Sequence, residues 1–275
     1  MAVVGFGAVG RGIKQLFPDA VPYDPPQGIG SKEAVNACRY AMVAVPTPGL
    51  PDGSADISAV EEVVGWIECD HIILRSTVPV GTTDRLREQT GKSIVFQPEY
   101  GPAETPDHPF NDLRKIRWVI LGGERRDTVP VADLYKSTFN SDIAIHQTDA
   151  RTAELTKYME NCFLATKVTF CNEFFDLAEA QGVDYNELRE LWLLDPRIGR
   201  SHTFVMPEAR GFDGRCLPKD VIATVAAARK TGYEPVLLEA VLEANRRFRA
   251  EERATPESES ESESETETDA KPKHR

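Results

Sequence analysis

Residues 2–12 read AVVGFGAVGRG, and this stretch decides the fold. It predicts a short apolar strand, a tight glycine turn and the start of a helix. In a GxGxxG turn the first glycine permits the bend, the second lets the backbone approach a pyrophosphate, and the third allows close packing of helix on strand. The phosphates then lie against the positive N-terminus of the helix. We therefore expect a dinucleotide site formed by Gly5, Phe6, Gly7, Ala8, Val9 and Gly10.

The next apolar segment ends at Tyr23-Asp24, 19 residues after Gly5. A carboxylate at this position accepts a hydrogen bond from a ribose 2′-hydroxyl and repels a 2′-phosphate. Asp24 therefore predicts NAD rather than NADP as the cofactor. The alternative interpretation of the glycines is a tight turn without a ligand.

Short apolar segments and helical patterns alternate through residues 1–148. The helical patterns include Ile57–Glu68 and Asp127–Thr138. The predicted strands are Ala2–Val4, Val21–Tyr23, Tyr40–Val45, His71–Arg75, Ser93–Phe96, Arg117–Leu121 and Asp142–His146. This alternation predicts an α/β domain, a doubly wound sheet with most strands parallel, over residues 1–148.

A different pattern begins at Thr148, because no Gly or Pro occurs from there to Ala180. This segment predicts one long helix with Asp149 as its N-cap and apolar residues on more than one face. Such a helix is usually buried on several sides, so we expect a homodimer through residues 149–180. Shorter predicted helices complete an all-helical second domain over residues 149–250: Tyr185–Leu193, Leu217–Thr231 and Pro235–Arg249.

Composition excludes several classes of protein. The formal net charge of the 275 residues is −12, and this sign offers no attraction to nucleic acid or anionic membranes. Residues 251–275, which include the run Glu257–Asp269, predict a disordered acidic tail. The apolar runs are too short to span a membrane, and the five scattered cysteines argue against disulfides and zinc. With no apparent signal peptide, we expect a cytoplasmic protein, and its acidic, Arg-rich composition suggests the hypothesis of a high-salt cytoplasm.

Three loops follow predicted strands, where ligands bind in open α/β sheets. They are Val45–Pro48, Ser76–Thr83 and Gln97–Tyr100. Each alone is a Pro-punctuated loop, but their shared position after strands suggests that they line one crevice.

Polar candidates in the second domain are Cys216, Lys157 and Asn161. Cys216 follows a glycine turn and precedes Pro218, so it lies near a helix N-terminus, where a thiolate is favoured. The other four cysteines lie in strand or helix patterns typical of small buried residues. Lys157 and Asn161 are spaced i, i+4 and share one helix face; they predict either a site or a solvated surface pair.

In this order the motifs resemble the UDP-glucose/GDP-mannose dehydrogenase family of nucleotide-sugar 6-dehydrogenases. The matching strings are GFGAVG, VAVPTP, STVPVGTT, PEY, AELTKYMENCFLATK, DPRIG and GRCLPKD. The resemblance implies a Rossmann-like domain, NAD, and oxidation of a sugar C6 alcohol to a carboxylate through a cysteine thiohemiacetal and thioester. It implies catalytic roles for Cys216, Lys157, Asn161, Glu99 and Asp220.

The resemblance also implies further binding residues. For the cofactor these are Pro46, Thr47, Thr77, Glu104 and Lys219, and for the nucleotide-sugar substrate Arg197, Gly211 and Gly214. Two departures stand out: position 103, where the family has a second carboxylate, is alanine, and Asp213 replaces a glycine.

The family's C-terminal nucleotide-binding domain is expected to be absent, since the sequence becomes an acidic run near residue 250. Two alternatives to the leading interpretation therefore stay open. One is a non-catalytic or partner-dependent NAD-binding dimerisation module. The other is a two-electron dehydrogenase of a smaller hydroxylated substrate, in which Cys216 is idle.

Overall fold

The computed structural model describes residues 1–101, 112–139 and 143–254. Seven strands form one sheet in the order β2-β1-β3-β4-β5-β6-β7. Neighbouring strands are parallel except β5 and β6, which confirms the predicted α/β fold with a mostly parallel sheet. The strands are β1 (Ala2–Val4), β2 (Val21–Tyr23), β3 (Tyr40–Val43), β4 (His71–Leu74), β5 (Ile94–Phe96), β6 (Trp118–Gly122) and β7 (Ala144–Thr148).

Alternate residues of the central strands point to opposite faces of the sheet, each covered by helices. On one face Val43 and Leu74 pack with Val60 and Val64 of helix α3 (Ser58–Trp66). On the other face, Met42 and Ile73 share a cluster with residues of helices α1 (Ala8–Leu16) and α5 (Arg125–Phe139). The period of two explains why strands buried on both sides read as continuous apolar runs.

Two helices of the first half were not predicted from the sequence: α2 (Lys32–Asn36) and α4 (Thr82–Thr90). Thr82 and Thr83, expected in a loop, instead form the first turn of α4. The residue before this helix, Gly81, has no side chain to cap it, and the buried carboxylate of Glu154 does so instead. It accepts hydrogen bonds from the backbone N–H groups of Gly81 (2.5 Å) and Thr83 (2.9 Å). A cap supplied from 71 residues away leaves no local signal.

The second half is helical, and its long helix is confirmed. Helix α6 (Ala150–Ala180) has 31 residues, and Asp149 caps it by accepting a hydrogen bond from the Thr152 N–H. Three helices follow: α7 (Tyr185–Trp192), α8 (Leu217–Lys230) and α9 (Val236–Ala254). The good helix formers EERA continue α9 to Ala254, four residues into the segment expected as the tail. The rest of the tail, residues 255–275, lies outside the described residues.

Helix α6 also contacts the sheet, so the two halves of the chain pack directly on each other. Its Ala153 belongs to the buried cluster on one face of the sheet. A Cβ on Gly122, at the end of β6, would overlap the Ala153 side chain. This close packing fixes the start of α6 against the carboxyl edge of the sheet. Within the residues that the structure describes, no helix combines the length and the apolarity needed to cross a membrane.

Candidate active site

The glycine turn has the shape of a dinucleotide cradle. Gly5 has φ +89°, and a Cβ on it would lie 2.5 Å from the Ala44 carbonyl oxygen. A Cβ on Gly10 would overlap the Gly5 carbonyl oxygen, whereas one on Gly7 would meet nothing within 4 Å. Gly7 is the N-cap of α1, and no side chain caps that helix. The turn is therefore crowded at Gly5 and Gly10, where it packs against other backbone. It is open at Gly7, where backbone N–H groups can face a phosphate.

Asp24 lies beside this turn, at the end of β2. Its carboxylate accepts hydrogen bonds from the Phe6 N–H (2.8 Å) and from the side-chain amide of Gln27 (2.9 Å). The predicted ribose-binding carboxylate and the predicted pyrophosphate turn are thus adjacent. The cradle and the carboxylate together fit an NAD molecule.

The loops that follow β3 and β4 are joined by hydrogen bonds. The Thr47 hydroxyl donates to the Thr77 carbonyl (2.9 Å), and the Ser76 hydroxyl donates to the Val45 carbonyl (2.7 Å). Thr47 is buried and Thr77 half-buried, with Pro46 exposed beside them. The structure therefore brings together the two loops that sequence reasoning expected to share a crevice.

The third loop is attached through Glu99. Its carboxylate pairs with the guanidinium of buried Arg75, which directly follows β4. It also accepts hydrogen bonds from the backbone N–H groups of Tyr100 (2.8 Å) and Gly101 (2.7 Å). Burial raises the pKa of Glu99, but Arg75 and the two N–H groups outweigh burial and hold the pKa below its ordinary value. Glu99 is therefore an ionised carboxylate at neutral pH.

A buried polar cluster links α6 to the first turn of α8. The Lys157 ammonium donates to the Asn161 side-chain oxygen (3.1 Å), and the Asn161 amide donates to the Asp220 carboxylate (2.5 Å). Lys219 pairs with the other oxygen of Asp220. The Lys219 stem also reaches the loop after β3, since a Cβ on Gly49 would lie 3.9 Å from it. These polar groups are buried at the cost of desolvation, which their mutual hydrogen bonds offset.

Two further groups surround the Lys157 ammonium. It lies 4.8 Å from the centre of the Tyr100 ring, and it donates to the Glu160 carboxylate at 3.1 Å. Burial raises the pKa of Glu160; Lys157 opposes this effect and the nearby Glu99 adds to it, so the pKa lies above its ordinary value. The Tyr100 contact ties Lys157 to the loop that carries Glu99.

Cys216 is exposed and stands at the N-cap of α8, one turn before Asp220. Cys69, Cys162 and Cys171 are buried and Cys38 is half-buried, so the exposed thiol differs from the others as predicted.

The turn before Cys216 contains Gly211 and Gly214, with φ +73° and +90°. A Cβ on Gly211 would overlap the side chain of Asn245 on α9, which accepts a hydrogen bond from the Phe212 N–H (2.7 Å). Asn172 on α6 accepts from the Gly211 N–H (3.0 Å). Two helices therefore fix the turn that presents the thiol.

Residues 29–139 match the NAD binding domain of the UDP-glucose/GDP-mannose dehydrogenase family, and residues 151–247 match its central domain. The chain belongs to this family. Its N-terminal match is to the NAD binding domain, which confirms the predicted cofactor.

Relatives of the chain carry the same family names. It is 31% identical over 224 residues to a putative UDP-glucose 6-dehydrogenase of Bacillus subtilis, covering 78% of this chain and 52% of that protein. It is 32% identical to a UDP-glucose 6-dehydrogenase of Pseudomonas aeruginosa, covering 78% of this chain and 50% of that one. The chain thus spans about half the length of these curated relatives.

Solved structures of the family share the fold. A UDP-glucose dehydrogenase from Pyrobaculum islandicum superposes with a TM-score of 0.75 at 28% identity, over 90% of this chain and 67% of that one. A UDP-D-ManNAc dehydrogenase from Pyrococcus horikoshii superposes with a TM-score of 0.72 at 23% identity, over 91% of this chain and 69% of that one.

One predicted residue of this dehydrogenase-family chain stands apart from the cluster. Arg197 is exposed and pairs with Asp195 in the loop after α7. That loop contacts α6 through Lys167, which donates to the carbonyls of Ile198 and Gly199. Lys167 lies ten residues, or about 15 Å, along α6 from Lys157. Glu104 lies outside the described residues.

Sequence reasoning missed three residues of the site: Arg75, Tyr100 and Glu160. Arg75 could have been found from the sequence, because a charged residue directly after an apolar strand needs a partner if it is buried. The i, i+3 spacing from Lys157 was a signal for Glu160. The Tyr100 contact with Lys157 joins segments 57 residues apart and has no local signal.

Proposed function

We propose that this chain is an NAD-dependent dehydrogenase that oxidises the C6 alcohol of a nucleotide sugar resembling UDP-glucose to a carboxylate. One observation carries the proposal. Exposed Cys216 lies at the N-cap of α8, one helical turn before Asp220, which belongs to the polar cluster of Lys157, Asn161, Asp220 and half-buried Lys219. A thiol, an ammonium, an amide and a carboxylate held this close are the groups needed to oxidise an aldehyde through a covalent adduct.

The chemistry gives each residue a role. NAD at the glycine turn supplies the hydride acceptor for both oxidations. The Cys216 thiolate adds to the C6 aldehyde to give a thiohemiacetal, and after oxidation to a thioester, attack by water releases the carboxylate and the thiolate. The Lys157 ammonium and the Asn161 amide stabilise the oxygen that becomes negative in these steps. Asp220 orients Asn161 through their hydrogen bond.

Glu99 acts as a base rather than an acid in this scheme. Its pairing with Arg75 keeps it ionised, so it accepts a proton from the alcohol or from the attacking water. Arg75 in turn is buried, and the loss of its charge partner would leave it uncompensated.

We assign the remaining predicted residues to binding. Asp24 and the glycine turn hold the adenosine half and pyrophosphate of the cofactor, while Pro46, Thr47, Thr77 and Lys219 lie toward its other end. Gly211 and Gly214 shape the turn that faces the sugar. Arg197 and Glu104 keep their expected roles, in the substrate and cofactor sites respectively, as hypotheses.

We also propose a homodimer through α6. Six large apolar side chains of this helix are between 39% and 74% exposed. At 100° per residue they fall within one stripe about 100° wide. They are Leu155, Met159, Phe163, Phe170, Phe174 and Leu177. A stripe of this size on one helix is typical of a subunit interface. Sedimentation of wild type and Phe163→Asp tests it: a monomeric variant is expected, and a wild-type monomer at micromolar concentration would contradict the dimer.

The experiment for the enzymatic proposal is NADH formation with NAD and a panel of UDP- and GDP-sugars. We expect two NADH per sugar oxidised and no turnover in Cys216→Ser, while Cys38→Ser behaves as wild type. One NADH per substrate with an active Cys216→Ser variant would support the two-electron dehydrogenase instead. NAD binding without turnover on any sugar would favour the non-catalytic or partner-dependent module.

A further inference from the structure

The Lys157 ammonium is fixed from three directions by groups of different kinds. Asn161 and Glu160 each accept a hydrogen bond from it at 3.1 Å, and the Tyr100 ring lies against it. Of these, Glu160 alone brings a negative charge to the ammonium. The Lys157 side chain is 9% exposed, whereas that of Glu160 is 35% exposed, so the carboxylate lies between the buried ammonium and solvent.

We propose that Glu160 is a positioning residue, which holds the Lys157 ammonium in place for the oxidation. This inference rests on the proposed function and deepens it, because it assigns a role to a carboxylate that touches Lys157 rather than the substrate. Glu160 is the more exposed member of the ion pair, and it adds a charged partner to the contacts that Asn161 and Tyr100 make with the ammonium.

The two carboxylates near Lys157 have different environments. Glu99 is fixed to Arg75 and two backbone N–H groups, whereas Glu160 has Lys157 as its paired cation. Among the residues that the structure describes, the groups that face Glu160 are Lys157 on its own helix and Glu99 and Tyr100 from the loop after β5. Burial raises the pKa of both carboxyl groups: at Glu99 the partners outweigh burial and the pKa is lowered, whereas at Glu160 burial outweighs Lys157 and the pKa is raised. When two neighbouring carboxyl groups have pKa values shifted in opposite directions, they can perform different tasks.

The raised pKa has a consequence for the rate. As the pH falls through the pKa of Glu160, the carboxylate takes up a proton and its ion pair with Lys157 is lost. Turnover should therefore decrease on the acid side at a pH above that where Glu99 titrates. A Glu160→Gln variant lacks this titration, so its kcat should be low and unchanged over the same range.

The kinetic experiment compares Glu160→Gln and Glu160→Ala with wild type. We expect kcat to fall about tenfold in both variants, as displacement of a positioned group does, with the KM for NAD unchanged. Acetate should restore part of the kcat of Glu160→Ala, because the site is open to solvent, and should leave wild type unaffected. Glu179→Gln, an exposed carboxylate near the end of the same helix, is the matched control. Wild-type kcat and pH profile in Glu160→Gln would overturn the proposal.

A titration independent of turnover separates this proposal from the enzymatic one. With ¹³C-carboxyl-labelled glutamate, the Glu160 signal is assigned by its loss in Glu160→Gln. We expect its pKa to rise by about one pH unit in Lys157→Met, because the adjacent cation favours the ionised carboxyl. An unchanged pKa would show that the pair does not form and would overturn the positioning role. A coupled titration in a chain that oxidises no sugar would instead count against the proposed function.

Discussion

The glycine turn and the α6–α8 cluster of Lys157, Asn161, Asp220 and Lys219 hold their polar groups by different means. At the turn, the polar groups are backbone N–H groups and the carboxylate that follows β2. The backbone conformation there depends on glycines that have no room for a Cβ. In the cluster, three buried side chains and half-buried Lys219 satisfy one another, and the link between Asn161 and Asp220 joins residues 59 apart. The first region is therefore made by local sequence and the second by tertiary packing.

The difference teaches what each region tolerates. The glycine turn fails when a Cβ is added at Gly5 or Gly10, because backbone atoms already occupy that space. A buried side-chain network fails when one partner is removed, because the remaining donor or acceptor is left unpaired at a cost of about 1–3 kcal/mol. Substitutions in the two regions should accordingly affect different measurements.

The largest expected effect is that of Lys157→Met on turnover. Removal of the ammonium takes away charge stabilisation of the reacting oxygen, and we expect kcat to fall by about 10²–10³-fold. NAD affinity, measured by calorimetry, should stay within about twofold of wild type, since Lys157 is not among the residues assigned to the cofactor. Lys136→Met, an exposed lysine of α5, is the control. A similar loss of NAD affinity would show that the two regions are not separate.

Gly10→Ala should disrupt the glycine turn, and its main effect should be on the stability of the fold rather than on the chemical step. Its Cβ would overlap the Gly5 carbonyl oxygen, so we expect a loss of about 2–3 kcal/mol in the free energy of unfolding. Gly65→Ala is the control, because a Cβ there meets nothing within 4 Å, and alanine in helix α3 should add about 0.5–1 kcal/mol. Denaturant titration of both variants measures the difference. Equal stabilities would mean that the turn can relax.

The same contrast explains how much the sequence could predict. The sheet follows from short apolar runs that alternate with helical patterns, and the Asp24 position follows from its spacing after the glycine turn; both are local patterns, and the structure contains both. The long helix was predictable because Asp149 caps it from within the segment. Helix α4 was not, because its cap is Glu154 of α6, and neither was the pairing of Arg75 with Glu99.

Within the candidate site the same rule holds for individual residues. The exposure of Cys216 at a helix N-terminus follows from the residues beside it, Gly214 and Pro218. The burial of Lys157 does not, because an i, i+4 pair of Lys and Asn is equally typical of a solvated surface. Only packing against α8 and the loop of Tyr100 makes that pair a buried group.

Asp24→Asn tests whether the charge of the carboxylate beside the glycine turn contributes to cofactor binding. The amide can still accept from the Phe6 N–H, so the turn is preserved, but the charged acceptor for the ribose hydroxyl is lost. We expect NAD affinity to fall about tenfold, with a smaller preference for NAD over NADP. Calorimetry with both cofactors measures this, and Asp19→Asn, an exposed carboxylate, is the control. Unchanged affinity and preference would remove Asp24 from the cofactor site.

The smallest expected effect is at Glu154, which joins the two halves of the chain by capping α4 from α6. Burial raises the pKa of Glu154, and its hydrogen bonds from Thr83 and Gly81 only partly oppose this. A raised folded-state pKa means that the stabilising contribution is full below the ordinary value and is lost as the pH rises through the raised one. Glu154→Gln cannot titrate, so its destabilisation should be about 1 kcal/mol in acidic buffer and should decrease toward neutral pH. Denaturant titration across this range, with the exposed Glu62→Gln as control, measures the trend. A destabilisation that grows with pH would show that the hydrogen bonds to Glu154 outweigh its burial.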